Sequence, residues 1–250
     1  MAKRNPKQDG SNLWDCKPQC GPCPLNCNQC FYNRPGAFYV PIDEPHMPTV
    51  EEVGEGIVRV NCGHDSNVER ELVVAATERY PRKFFNTSIL KFAFPGPVVY
   101  TANRYEEERA QTLVPPLPPS LMFVRLRVSG TNLLLIDDAV RAWTAQQVPV
   151  VLTFMAYYDQ EPRCDVPAYV LDSPAYEWKV RHINSYWCAT RRFMAYVLWR
   201  EKAIGGRLVT MCGTLDSNYC RDCRNCETHY WQTMKHMQEN QDGKAEDTHS

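Results

Sequence analysis

The chain lacks the features that place a protein in a membrane or on a polyanion. It has no run of about 18 apolar residues and no basic-then-apolar leader at its start, so we expect a soluble, cytoplasmic protein. A formal net charge of −1 argues against electrostatic binding of nucleic acid or of an anionic membrane. No internal repeat is evident. With 250 residues, 44% of them hydrophobic, the chain can bury a substantial core as one α/β domain.

Cysteine, in contrast, is plentiful, with twelve in the chain. Nine of them fall in two clusters, at 16–30 and 212–226. In an intracellular chain, such clustering favours metal ligands over disulfides. We expect the other three, Cys62, Cys164 and Cys188, to be ordinary buried residues.

The first cluster contains a C-x3-C-x2-C motif formed by Cys23, Cys27 and Cys30, and Phe31 and Tyr32 follow it directly. A short loop can turn three thiolates toward one metal centre, and three protein ligands leave one iron of a four-iron cluster open for chemistry. The motif and its aromatics resemble the cluster-binding loop of the radical SAM (S-adenosylmethionine) superfamily, although no subfamily is identified.

Two other interpretations of this cluster stay open. Cys16, Cys20 and Cys23 have the same C-x3-C-x2-C spacing, but only the later triplet leads into aromatics. The C-x2-C pairs Cys20/Cys23 and Cys27/Cys30 also suit a structural zinc site.

The resemblance implies a fold, cofactors and partners. The fold is a partial (β/α)6 barrel, and the cofactors are a [4Fe-4S] cluster on Cys23, Cys27 and Cys30 and S-adenosylmethionine. The implied activity is reductive cleavage of S-adenosylmethionine to a 5′-deoxyadenosyl radical, which abstracts hydrogen from a substrate. A flavodoxin- or ferredoxin-like reducing partner is implied too. The sequence does not indicate the substrate.

The pattern of the chain independently predicts an α/β fold with an open parallel barrel over residues 12–211. Amphipathic helical stretches alternate with six strand candidates after a short first strand at Leu13 and Trp14: Ile57–Asn61, Phe84–Ile89, Val98–Ala102, Met122–Ser129, Val150–Tyr157 and Leu208–Cys212. The largest helix is predicted around Ser185–Lys202, with Gly205-Gly206 as its stop. Residues 1–11 are predicted to be a disordered arm, 212–236 a cysteine-rich, metal-binding extension, and 237–250 a flexible tail.

Alternation within the strands predicts which face holds a ligand. In Met122–Ser129, Val124, Leu126 and Val128 form one face, and Arg125 and Arg127 lie on the other. The apolar faces should lie under the helices, which leaves polar side chains on the concave side, as suits an open barrel around a polar ligand. A half-solvated antiparallel sheet is the alternative.

Gly63, Asp65, Ser66 and Asn67 lie between a predicted strand and a helix. In position they resemble the family's strand-two motif for the methionine end of S-adenosylmethionine, although the family usually has Gly-Gly-Glu-Pro there. Helix capping explains the three polar residues equally well.

Further cofactor-binding candidates lie near predicted strand ends, where α/β folds gather ligands. Four can bind ribose hydroxyls or substrate: Asn86, Ser88, Thr101 and Asn103. Arg125 and Arg127 need anions or acceptors, because a buried guanidinium without a partner is costly. The alternative for both is a structural salt bridge.

The second cluster offers four thiols: Cys212, Cys220, Cys223 and Cys226. Four cysteines complete a metal's shell, so this site should be closed and hold an auxiliary iron–sulfur cluster or zinc. Cys16 and Cys20 can join it or bind separately. If both cysteine clusters were structural, the chain would be a non-catalytic, zinc-stabilised binding or scaffold protein.

Overall fold

The computed structural model describes residues 4–27, 30, 42–102, 117–158, 170–171, 173–182 and 185–247. None of the helices in these ranges combines the length and the apolarity that a bilayer crossing requires.

The described strands are β1 (Leu13–Cys16), β2 (Ile57–Val60), β3 (Lys83–Thr87), β4 (Val98–Ala102), β5 (Leu121–Val128), β6 (Val150–Phe154), β7 (Tyr157–Tyr158), β8 (Tyr176–Lys179), β9 (Tyr186–Ala189) and β10 (Val209–Met211). The described α-helices are α1 (Val50–Val53), α2 (Arg70–Thr77), α3 (Leu133–Ala145), α4 (Arg191–Gly205), α5 (Cys220–Cys223) and α6 (Asn225–Asp247).

Seven strands form one parallel sheet in the order β1-β2-β3-β4-β5-β6-β10, which curls into a half-barrel. The predicted α/β class and parallel sheet are therefore confirmed, and the shape is consistent with a partial open barrel. Because neighbouring strands are parallel and follow chain order, their carboxyl ends meet at one edge, and the loops after them share one rim.

The convex side of the sheet carries the main core, as the alternation predicts. Leu126 of β5 and Ile136, Val140 and Trp143 of α3 are all fully buried in one cluster. Burying side chains of this size from both layers is the main force that holds helices on the sheet.

The concave side has two layers, and only one of them is polar. Near the amino ends of the strands this side is apolar, and Tyr230 of α6 belongs to the same layer. The apolar layer consists of Leu13, Ile57, Phe84, Val99, Met122, Phe123, Val151 and Tyr230. Toward the carboxyl ends the inward side chains become polar, as in Asp15, Arg59, Asn86, Thr101 and Arg125. The expectation of a polar concave side thus holds for its carboxyl half alone.

A second, antiparallel sheet of order β7-β9-β8 follows β6. The predicted helix at Ser185–Lys202 is therefore wrong in its first part, because Tyr186–Ala189 is a strand. The helix begins only after Thr190, whose side chain accepts a hydrogen bond from the Phe193 N–H (3.3 Å). Its predicted stop is confirmed: Gly206 caps α4 with a φ of 59°.

Residues near both ends of the described part form secondary structure. Residues 4–11 contain a 3-10 helix at Pro6–Gln8, and the buried side chains of Asn5 and Gln8 hydrogen-bond to Asp15. Helix α6 extends to Asp247, because a run rich in Gln, Glu, Lys and Met has good helix propensity although it is polar.

Candidate functional site

Lys17 closes the base of the first cysteine loop. Its backbone pairs with His46 (2.8 Å in each direction), so the chain leaves β1 and returns to the same point. Its buried ammonium donates to the carbonyl oxygens of Gln19 (2.6 Å), Ile42 (3.0 Å) and Glu44 (3.1 Å). Burial lowers the pKa of Lys17, and the three carbonyls offset the cost of taking the charge out of water.

Gln19 joins this loop to the loop after β2. Its fully buried side chain donates to the carbonyl oxygens of Asp65 (3.1 Å) and Val68 (2.8 Å). The cysteine loop and the Gly63–Asn67 segment are thus neighbours on the rim.

Asp65 is the hub of that segment. One carboxylate oxygen accepts from the Asn67 N–H and the Thr87 hydroxyl (2.9 Å each), and the other accepts from the Ser88 N–H (2.5 Å). Burial raises the pKa of Asp65, and these donors oppose the shift. The carboxylate holds the turns after β2 and β3 together.

The helix-capping alternative for this segment is not what the structure shows. Helix α2 begins at Arg70, and its N-cap, Glu69, is in the left-handed region and makes no side-chain cap. Ser66 instead donates its N–H to the Asn86 carbonyl (3.0 Å), and Asn67 donates to the Thr87 hydroxyl (2.8 Å). Gly63 lies half-buried in the turn.

The three cysteines of the predicted triplet lie in one short stretch of the loop. Tight turns bond the Asn26 N–H to the Cys23 carbonyl (3.3 Å) and the Cys30 N–H to the Cys27 carbonyl (3.1 Å). The pKa of the Cys23 thiol is raised to about 11, chiefly by burial. The neighbouring Asp65, Cys27 and Cys30 raise that pKa further. A metal that binds the Cys23 sulfur must therefore displace its proton. Phe31 and Tyr32 lie outside the described residues.

Cys16 faces away from this loop. It is fully buried in the helix-side core, with its Sγ 3.0 Å from the Met47 sulfur, and burial raises its pKa. Strand alternation sends Cys16 to the convex side and Asp15 to the concave side. The triplet Cys16/Cys20/Cys23 is therefore disfavoured as a ligand set, whereas Cys20 is exposed and the Cys20/Cys23 pair stays available.

Two arginines, Arg59 and Arg125, lie in the polar layer of the concave side. Arg59, which the sequence reasoning did not select, pairs with the buried carboxylate of Asp15 (2.7 Å). Arg125 donates to the side-chain oxygens of Thr101 (3.2 Å) and Asn86 (3.4 Å). Among the described residues no carboxylate lies within salt-bridge distance of Arg125.

The remaining candidates are distributed around the same layer. Asn86 is buried and also donates to the Val60 carbonyl (2.7 Å), and Ser88 contributes its backbone N–H to Asp65. Arg127 lies on the same face as Arg125, two residues closer to the rim. Asn103 lies outside the described residues.

Two of the C-terminal cysteines also lie on the concave side. Cys220 and Cys226 pack against the apolar layer of the barrel. Burial raises the pKa of Cys226, and Arg59 and Arg125 oppose that shift. Burial likewise raises the pKa of Cys220, to about 12. Strand patterns in the sequence do not predict this placement, because no local pattern indicates where a terminal helix will pack.

Both thiol sets fit soft metals by donor chemistry. As the side chains stand, no three His, Cys, Asp or Glu residues of the described part form a metal shell. Binding would therefore require the thiols of either set to reorient. Comparisons with protein-family models, with curated proteins and with solved structures each return no match.

Proposed function

We propose that the chain is a radical SAM enzyme. The observation that carries this is the position of the C-x3-C-x2-C loop, which follows the first strand of a sequentially ordered parallel half-barrel and contacts the loop after the second strand. In α/β folds, ligands bind at this carboxyl rim.

In this proposal Cys23, Cys27 and Cys30 hold a [4Fe-4S] cluster, which with S-adenosylmethionine supplies reductive sulfonium cleavage and hydrogen abstraction. The segment Gly63–Asn67 would lie beside the methionine end of the cofactor. Its candidate residues act chiefly by fixing the turn, because Asp65 and Asn67 are already hydrogen-bonded within the protein. These candidates are Gly63, Asp65, Ser66 and Asn67.

The polar layer of the concave side would bind the rest of the cofactor or the substrate. Arg125 has neutral partners only among the described residues, so its charge is free to meet a carboxylate or phosphate. Asn86, Ser88, Thr101 and Arg127 are the neighbouring candidates. We call the space on the concave side of the half-barrel the chamber. The apolar layer below these residues excludes water from the chamber, which strengthens the electrostatic contacts made there.

The proposal includes a cytoplasmic location and a flavodoxin- or ferredoxin-like reductant, since reduced thiols and a low-potential electron are both required. The substrate is unassigned.

A zinc-stabilised binding or scaffold protein is the second candidate. It is favoured by the two C-x2-C pairs Cys20/Cys23 and Cys27/Cys30, whose thiols are all in the described part and outside the main core.

The deciding experiment is anaerobic reconstitution, followed by quantification of iron, sulfide and zinc and by addition of S-adenosylmethionine and dithionite. We expect the wild type to bind iron and sulfide and to release 5′-deoxyadenosine. Cys27→Ser should lose about four irons per chain and all release. Cys188→Ser, a half-buried thiol on β9, is the matched control and should behave as wild type.

Zinc alone in the wild type, with no cofactor cleavage, would overturn the enzyme and favour the scaffold. Iron that Cys27→Ser retains in full would equally overturn the assignment of the loop.

A further inference from the structure

The C-terminal extension plugs the concave side. Tyr230 of α6 is 2% exposed and lies 6.4 Å, centroid to centroid, from Phe84 of β3. One residue earlier, the His229 ring lies 5.3 Å from Phe123 of β5. Helix α6 thus fills the amino-terminal half of the chamber.

The same extension bridges the two edge strands of the half-barrel. On the β10 side, Asn225 donates to the Met211 carbonyl (2.7 Å). On the β1 side, Asn12 donates to Glu227 (2.9 Å), and Arg221 pairs with Asp9 (3.4 Å). The side gap of the half-barrel is therefore crossed by α5 and the start of α6.

Four cysteines lie in this bridge or directly beside it. Cys220 and Cys223 are the first and last residues of the single turn α5, so they share one face, and Cys226 follows three residues later. Cys212 directly follows Met211, the last residue of β10, and Cys226 directly follows Asn225. The hydrogen bond between Asn225 and Met211 therefore brings the segments of these two cysteines together. Local turns and one long-range contact therefore gather four ligands from two segments.

The surroundings suit a negatively charged centre. A divalent ion or a four-iron cluster bound by four thiolates carries net negative charge, which is costly to bury without compensation. Arg59 and Arg125 are the next inward residues above the apolar layer against which Cys226 packs, so their positive charges lie on the same side of the sheet as this cysteine. Arg125 has no carboxylate partner among the described residues to neutralise it first.

We propose that Cys212, Cys220, Cys223 and Cys226 bind one soft metal centre at the open side of the half-barrel, and that this centre fastens α6 on the concave side. A four-residue helix is not stable by itself, so α5 needs such a fastening. The shared chemistry is a four-thiolate shell, which zinc and an iron–sulfur cluster both satisfy. The inference does not depend on the proposed function, because its test uses neither S-adenosylmethionine nor a substrate.

The test is a Co²⁺ titration of the reduced, metal-free full chain under nitrogen, read by thiolate-to-cobalt charge transfer and by tetrahedral d–d bands. We expect Cys212→Ser to bind about one Co²⁺ fewer than wild type, because it removes one of the four ligands. Cys212 is exposed, so this variant should fold. Cys226→Ser repeats the test at a more buried ligand, and Cys188→Ser is the control.

Hydrogen exchange measures the fastening itself. Loading should slow exchange over residues 225–236 in the wild type and in Cys188→Ser but not in Cys212→Ser. Metal analysis of protein purified without air then separates zinc from iron with sulfide. The inference is overturned if Cys212→Ser and Cys226→Ser both bind as many Co²⁺ ions per chain as the wild type. It is also overturned if metal loading does not change the rate of hydrogen exchange in α6. Cys27→Ser should leave this exchange response intact, which separates its failure from that of the proposed function.

Discussion

At the scale of single residues, buried charges in this protein are held by neutral acceptors as well as by ions. Lys17 is the clearest case, since its ammonium is bonded to three backbone carbonyls and fixes both ends of the cysteine loop. Losing the ammonium would leave three buried acceptors without a donor.

We therefore expect Lys17→Met to lower the free energy of unfolding by about 1–3 kcal/mol, since unsatisfied buried acceptors are costly. It should also weaken metal retention by the loop. Urea denaturation and iron quantification measure the two effects. Lys7→Met is the matched control, because Lys7 is exposed. Equal losses in both variants would contradict this role for Lys17.

Glu201 offers a prediction about pH. Its side chain is fully buried between α3 and α4, beside the Asp137–Arg200 pair. Burial, together with Asp137, raises the pKa of Glu201 from 4.5 to about 8. The folded state therefore binds a proton that the unfolded state has released between these values, so this stabilisation is complete below pH 4.5 and is lost as the pH rises through about 8.

Glu201→Gln removes this titration, so the free energy of unfolding should fall less steeply between pH 5 and 8 than in the wild type. Urea denaturation at several pH values gives both slopes. Glu239→Gln, on the exposed side of α6, should keep the wild-type slope. Parallel curves for Glu201→Gln and wild type would sink the idea.

At the scale of elements, the end of α4 contains two adjacent glycines that are needed for different reasons. A Cβ on Gly205 would lie 2.6 Å from Val209, 2.8 Å from Thr144 and 2.9 Å from Val140, because α4 packs closely on α3 and β10 there. A Cβ on Gly206 would meet nothing within 4 Å, but its φ of +59° is one that other residues rarely adopt.

Gly205→Ala should therefore cost about 2–3 kcal/mol through overpacking, and Gly206→Ala about 1 kcal/mol through backbone strain. Thermal or urea denaturation of the two variants gives the order. Gly21→Ala, which has a φ of +74° and open space, serves as the control for strain alone. The reverse order for Gly205 and Gly206 would contradict the packing argument.

Sequence periodicity predicts most of the main sheet because each of its strands is buried on one face by helices and alternates accordingly. It fails after β6. There the run to Tyr157 looks like one strand, but Phe154 ends β6 and Tyr157 begins the second sheet. Aromatic residues of β9 satisfy a helical pattern as well as a strand pattern, and only the pairing with β8 decides between them.

At the scale of the whole molecule, the contacts that local patterns could not predict are those that close the half-barrel. Asp15 illustrates this, since it receives donors from the N-terminal segment and from β2: Asn5 and Gln8 at 2.8 Å each, and Arg59 at 2.7 Å. The sequence identifies the cysteines and the polar strand faces by spacing and alternation, whereas the partners of Asp15 and of α6 depend on long-range docking.

A double-mutant cycle on Asp15 and Arg59 tests the charge pair in this network. Asp15→Asn should lower the free energy of unfolding by about 3–5 kcal/mol, because it leaves Arg59 buried and unpaired. The amide also offers one acceptor oxygen to the donors Asn5, Gln8 and Arg59. In Asp15→Asn with Arg59→Met, the amide no longer faces a buried guanidinium, so the double variant should cost at least about 1.5 kcal/mol less than the sum of the single variants.

The exposed pair Asp138 and Arg141, whose side chains are 67% and 59% exposed, gives the matched cycle, with an expected coupling below about 0.5 kcal/mol. Urea denaturation supplies the free energies of unfolding for both cycles. Equal couplings in the two cycles would contradict the assignment of Asp15 and Arg59 as a buried charge pair whose partners depend on each other. A larger coupling at Asp15 would mean that Arg59 holds this carboxylate in the polar layer of the concave side, where Asn5 and Gln8 of the N-terminal segment also bind it.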